Sequence, residues 1–186
     1  MTFLSLRLHR LAALALLALP VLLPAEIVDS APGGFTVRGV MILQAPPSDA
    51  YQKFVRNVGD WWDSGHTFSR DAKNLSIDDK PGGCFCEKWA NGGVQHLQVV
   101  YAAPGKVLAM RGGMGPLMSL AVTGGLEIQF AAAESGTKVT YTYSVGGYIP
   151  KGADSWAGPV DGMLAGTFAR FQNYVNTGSP DGKDGK

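Results

Sequence analysis

The chain has 186 residues, with 16 Lys and Arg against 15 Asp and Glu, a formal net charge of +1. Hydrophobic residues are 46% and charged residues 17%, which excludes a disordered polyelectrolyte and fits one packed domain. Near-neutrality leaves no electrostatic footprint for nucleic acid. The 25 glycines lack a G-X-Y period and fall in doublets such as Gly92-Gly93 and Gly124-Gly125 that read as turns between strands.

Residues 1–25 read as an export signal. Arg7 and Arg10 precede the Leu/Ala run Leu11–Leu19, Pro20 interrupts it, and Leu23-Pro24-Ala25 ends in a small residue. The run is shorter than a bilayer span of about 20 apolar residues, so no stable membrane span is expected after cleavage. Retention as an anchor is the alternative. Cleavage after Ala25 leaves 14 basic against 15 acidic residues, net −1. Residues 26–34 read as a linker.

The run FTVRGVMIL, residues 35–43, is β-branched and apolar between Gly33-Gly34 and Pro46-Pro47, which makes it a strand. In residues 48–62, Tyr51, Phe54, Val55, Val58 and Trp62 form a helical stripe with Ser48 as N-cap. From 74 to 147 the helical period gives way to short runs, NLSI, GCFCEKW, VQHLQVVY, KVLAMR, LEIQF and TKVTYTYSV. Turn residues separate them, as in an antiparallel meander. Over 156–176, Val160, Leu164, Phe168, Phe171 and Val175 restore the helical period, with Gly178 as C-cap. The tail 178–186 is polar and reads as disordered. The order predicts an α+β fold whose long last helix covers a curved sheet and leaves a cavity between them.

Glu87 shares a strand face with Phe85 and Trp89, which makes it a carboxylate on the cavity side with a raised pKa unless paired. Arg111 is its expected partner, and the pair serves either as a rim bridge or as an anchor for a ligand hydroxyl or carbonyl. Asp63 and His66, spaced i and i+3, read as a helix-end cap or as acid–base equipment. His96 falls on the strand side of Gln98 and Val100. Together His66, His96, Cys84 and Cys86 lack zinc-knuckle spacing, so no metal is expected. Cys84 and Cys86 stand two apart on a strand, with Cα atoms roughly 6.5–7 Å apart if extended, at the edge of bridging geometry. Two free thiols and a strained redox pair both remain open. The run MGPLMSLAV, residues 114–122, offers adaptable Met side chains, Met118 among them, either for packing or for lining a ligand. No P-loop, nucleophile elbow, dinucleotide fingerprint or H-E-x-x-H is present, and no cofactor is indicated.

The strings WWDSGHTFSRDAKNLSI, PGGCFCEKW, HLQVVYAAPGKVLAMRGGMGPL, GTKVTYTYSVGGY and GPVDGMLAGTFARFQNYV together resemble the polyketide-cyclase/dehydrase-like branch of the START-like (SRPBCC) superfamily. The resemblance covers residues 35–177 and implies a helix-grip fold, a sheet of about seven strands around the last helix and an apolar pocket. It implies no activity, because the superfamily spans lipid carriers, hormone binders, cyclases and co-chaperone domains. The expectation is an exported, periplasmic or secreted, binder of a hydrophobic small molecule or lipid. Phe85, Glu87, Trp89, Arg111, Met118, Tyr143, Met163 and Phe168 are the expected ligand-facing residues. The alternative is a cyclase or dehydratase in which Asp63, His66 or Glu87 moves a proton. Export disfavours both that enzyme and a cytosolic co-chaperone.

Overall fold

The computed structural model describes residues 26–182. The expected export segment, 1–25, lies outside the described residues. The fold is α+β. Its elements run β1 (Glu26–Ala31), β2 (Gly34–Leu43), α1 (Pro47–Arg56), α2 (Val58–Trp61), β3 (Leu75–Ile77), β4 (Cys84–Trp89), β5 (Gly92–Ala103), β6 (Val107–Arg111), β7 (Ala121–Ala133), β8 (Gly136–Tyr148) and α3 (Asp154–Thr177).

The strands form one antiparallel sheet of 8 in the order β1-β2-β8-β7-β6-β5-β4-β3. The resemblance implies about seven strands; the additional one is β1, in the stretch expected to be a linker. β1 pairs with β2 from Glu26 opposite Arg38 to Ala31 opposite Gly34. All six of its residues are exposed, so it carries no inward apolar alternation that would mark it as a strand.

Strict alternation puts one row of β2 and one row of β8 against the core. β2 contributes Phe35, Val37, Met41 and Leu43, and β8 contributes Val139, Tyr141, Tyr143 and Val145. Gly39 lies opposite Tyr141 in the register. A Cβ at Gly39 would overlap the Tyr141 phenol ring, so this glycine makes room for the ring. The ring stacks on Phe168 with centroids 4.0 Å apart and planes 10° apart.

α3 buries the expected stripe of Val160, Leu164, Phe168, Phe171 and Val175 against the sheet. Each such side chain contributes about 1.5–3 kcal/mol. Gly178 ends the helix in the left-handed region, φ 82°, and donates its N–H to the Tyr174 carbonyl. The tail folds back at first. Asn173 donates to the Pro180 carbonyl, and Arg170 pairs with Asp181 at 2.7 Å. The tail expected to be disordered is therefore held on α3 up to this point, and 183–186 lie outside the described residues.

The predicted helix 48–62 divides into α1 and α2 at Asn57. Pro47, not Ser48, opens α1, because its fixed φ suits the first helical turn. The aromatic residues tie the helices together. Phe54 packs edge-on to Phe171 at 5.2 Å, and Trp61 lies 4.9 Å from Phe171.

Candidate functional site

A pocket of about 360 Å³ lies against the first half of α3. Trp156, Pro159, Val160 and Met163 of α3 form one wall. Trp62 and the segment Gly65–Phe68 form the second. Met114 to Leu117, which lead into the 3₁₀ turn Gly115–Ser119, form the third, and His96 of β5 closes it. Apart from the two histidines and Thr67, the named walls are apolar or glycine.

His96 reaches the inside through a β-bulge. Phe85 pairs with Leu97 and Cys86 with Gln95, so His96 is the extra residue between them. The bulge turns His96 and Leu97 inward in succession, 5% and 0% exposed. The expectation that His96 shares a side with Gln98 and Val100 is thereby corrected. A second bulge at Val100 follows.

His96 Nε2 lies 3.2 Å from Glu87 Oε2. Glu87 is 0% exposed. Its carboxylate also accepts the backbone N–H groups of Phe68, at 3.0 Å, and Ser69. Two successive N–H groups aimed at one carboxylate form an anion cradle. The chain turns away at Arg70, which takes φ 60°, a left-handed conformation that costs a non-glycine residue energy. Burial opposes charge on Glu87, but hydrogen bonds from Ser69, Phe68 and His96 outweigh it and hold the carboxyl below its ordinary range. The paired case of the expectation is the one that holds, with the loop N–H groups and His96 as partners in place of Arg111. Burial pushes His96 down, against the pull of the Glu87 carboxylate.

A neutral imidazole facing an ionised carboxylate through Nε2 carries its proton there. Nδ1 is then the acceptor. Among the described residues Nδ1 has no hydrogen-bond partner, and it is not one of the enclosed unpartnered atoms, which are Tyr141 Oη and Asp161 Oδ1. The open space that His96 borders is the pocket. The Phe68 and Phe85 rings lie near the imidazole, with centroids 5.9 Å and 5.3 Å away.

At the mouth, Asp63 Oδ2 lies 3.6 Å from His66 Nδ1, and both side chains are nearly half exposed. Asp63 Oδ1 accepts the Gly65 N–H at 2.8 Å and so caps the turn Ser64–His66. The capping role is what the geometry displays for Asp63, while His66 lines the pocket.

Of the expected ligand-facing side chains, Met163 lines the pocket. Phe85 and Phe168 are buried in the packed core beside it. Tyr143 is also buried and is committed, donating to the Gly112 carbonyl and accepting from the Met114 N–H at 3.0 Å each. Three expectations are corrected outright. Trp89 ends β4 at a hairpin, where its ring packs over Gly92, and stays 38% exposed. Met118 is 44% exposed, because the 3₁₀ turn directs Met114 and Leu117 inward in its place. Arg111 pairs in register with the outward Gln98, so it projects from the opposite face and does not meet Glu87. It borders a shallow cleft with Thr36, Thr123 and Ser144 on that outer face.

Cys84 and Cys86 are joined as a disulfide, with Cα atoms 5.3 Å apart, which decides between the two readings left open above. Among the described residues no cluster of three or more His, Cys, Asp or Glu is arranged to hold a metal ion. Nor is any described helix long and apolar enough to cross a membrane.

No protein-family model matches the chain. No curated protein matches it either. Solved structures do resemble it. A conserved protein of unknown function from Enterococcus faecalis superposes with TM-score 0.59 at 12% identity, over 87% of this chain and 81% of its own. An uncharacterised protein from Rhizobium leguminosarum gives 0.57 at 14% identity, over 80% and 98%. DynU16, from the dynemicin biosynthetic locus, gives 0.53 at 18% identity, over 80% of this chain and 50% of its own. At these identities the likeness is one of fold, in keeping with a helix-grip arrangement.

Proposed function

We propose that the protein is an exported START-like domain that holds a compact hydrophobic molecule between α3 and the sheet. The observation that carries this reading is the pocket of about 360 Å³, apolar on its main walls, with the buried His96 among its lining residues. Affinity would come from apolar burial, and orientation from one donor on the ligand meeting Nδ1. The volume stands near the lower end of ligand sites, which favours a compact ring system over a long acyl chain. The Cys84–Cys86 disulfide supports an oxidising compartment and hence removal of residues 1–25. DynU16, encoded in a biosynthetic locus, supports a small-molecule role. START-like membership rests on the quoted strings and on the likeness of fold.

Native mass spectrometry of the protein purified from its own host tests the reading. A bound molecule released on denaturation, on a chain beginning near Glu26, is the expected result. A chain that retains residues 1–25 in soluble form, and carries nothing, would contradict it.

A further inference from the structure

The geometry points to a catalytic general base: His96 Nδ1, positioned by Glu87, takes a proton from a carbon acid bound in the pocket. The inference rests on the binding reading of the same pocket and adds chemistry to it.

The arrangement has the parts that proton abstraction needs. His96 lines the cavity, and its Nε2 is tied to a carboxylate at 3.2 Å, which leaves Nδ1 as the acceptor. The carboxylate fixes the tautomer and stabilises the imidazolium that forms. Its own charge is secured by the Phe68 and Ser69 N–H groups, so it remains the anion. The Phe68 and Phe85 rings pack near the imidazole, and His96 is buried.

The substrate class is a compact apolar β,γ-unsaturated carbonyl compound whose acidic C–H lies between the carbonyl and the double bond. Nδ1 takes the proton, the C–H electron pair moves through the carbonyl onto its oxygen as a dienolate, and the imidazolium returns the same proton at the γ carbon as the double bond shifts into conjugation. The net reaction is an isomerisation and needs no co-reactant. His66 and the Trp156 indole line the same pocket and are the side-chain donors available to the enolate oxygen.

The charged and titratable groups facing His96 are Glu87 from β4 and, at the mouth, the Asp63–His66 pair; the α3 wall presents only Trp156, Pro159, Val160 and Met163.

The probe is 5-nitrobenzisoxazole, a compact apolar carbon acid. A base removes its ring C–H proton, the electron pair completes a nitrile, the N–O bond breaks with its pair on oxygen, and a coloured phenolate forms. The wild-type full chain is expected to turn it over with saturation, and His96→Gln to lose about 100-fold or more in kcat at similar KM. Glu87→Gln should move the acid limb of the rate profile to lower pH, because the carboxylate favours the imidazolium. Nitrogen-15 NMR of the unmutated protein gives a readout that survives a variant that fails to fold. Nδ1 should be unprotonated, and its signal should move on adding the probe. A probe that binds without turnover, or a proton on Nδ1, overturns the base and leaves the binding reading standing. A probe that does not bind overturns both.

Discussion

Glu87 Oε2 and His96 Nε2 stand 3.2 Å apart, and both side chains are buried. Both residues are held in protonation states that the unfolded chain gives up in acid. His96 is depressed below its ordinary 6.5 mainly by burial, and Glu87 below its ordinary 4.5 by its hydrogen bonds, against burial.

The sign of the pH dependence follows. Below 6.5 the unfolded chain protonates its imidazole while folded His96 stays neutral, so the unfolded state binds more protons and stability falls. Glu87 adds a second loss as pH falls through its lowered folded value. Urea midpoints measured from about pH 7.5 to about pH 5 should decline in wild type, and His96→Gln should flatten that decline. Equal slopes in the two proteins would show that His96 takes up its proton in the fold.

Tyr141→Phe should stabilise the protein. Tyr141 Oη is enclosed and has no partner, and an unsatisfied buried hydroxyl costs about 1–3 kcal/mol. The ring and its stacking on Phe168 are kept. A gain of about 1 kcal/mol in chemical denaturation is expected. A loss of that size would mean that the hydroxyl has a partner, such as an internal water.

Gly39→Ala should destabilise it by about 1–3 kcal/mol, since the new Cβ meets the Tyr141 ring across the β2–β8 register. Gly39→Ala combined with Tyr141→Leu should recover part of the cost measured against Tyr141→Leu alone, because the ring no longer occupies the space. Simple additivity of the two changes would remove the ring contact as the cause.

The stripes in 48–62 and 156–176, and the run of strands between them, were legible because burial there follows a period that side chains record. The site was legible only in part. Glu87 was found because Phe85 marks the inward side of β4. Its partners were missed for a physical reason. An extra residue at His96 reverses the alternation of β5 without any compositional mark, and the Phe68 and Ser69 donors are backbone groups that every residue carries. Arg111 was drawn to Glu87 by charge alone, whereas register places it opposite Gln98, facing out. β1 was missed because all its side chains are exposed.

The most direct test of the pocket is a titration of a hydrophobic fluorescent dye into wild type, Met163→Trp and Met118→Trp. Met163 lines the cavity, and Met118 stands outside it at 44% exposure. Met163→Trp should fill the space and weaken dye binding about tenfold or more, an effect of about 1.4 kcal/mol, with the fold intact. Met118→Trp should leave binding unchanged. Equal binding by folded Met163→Trp and wild type would contradict a ligand held between α3 and the sheet.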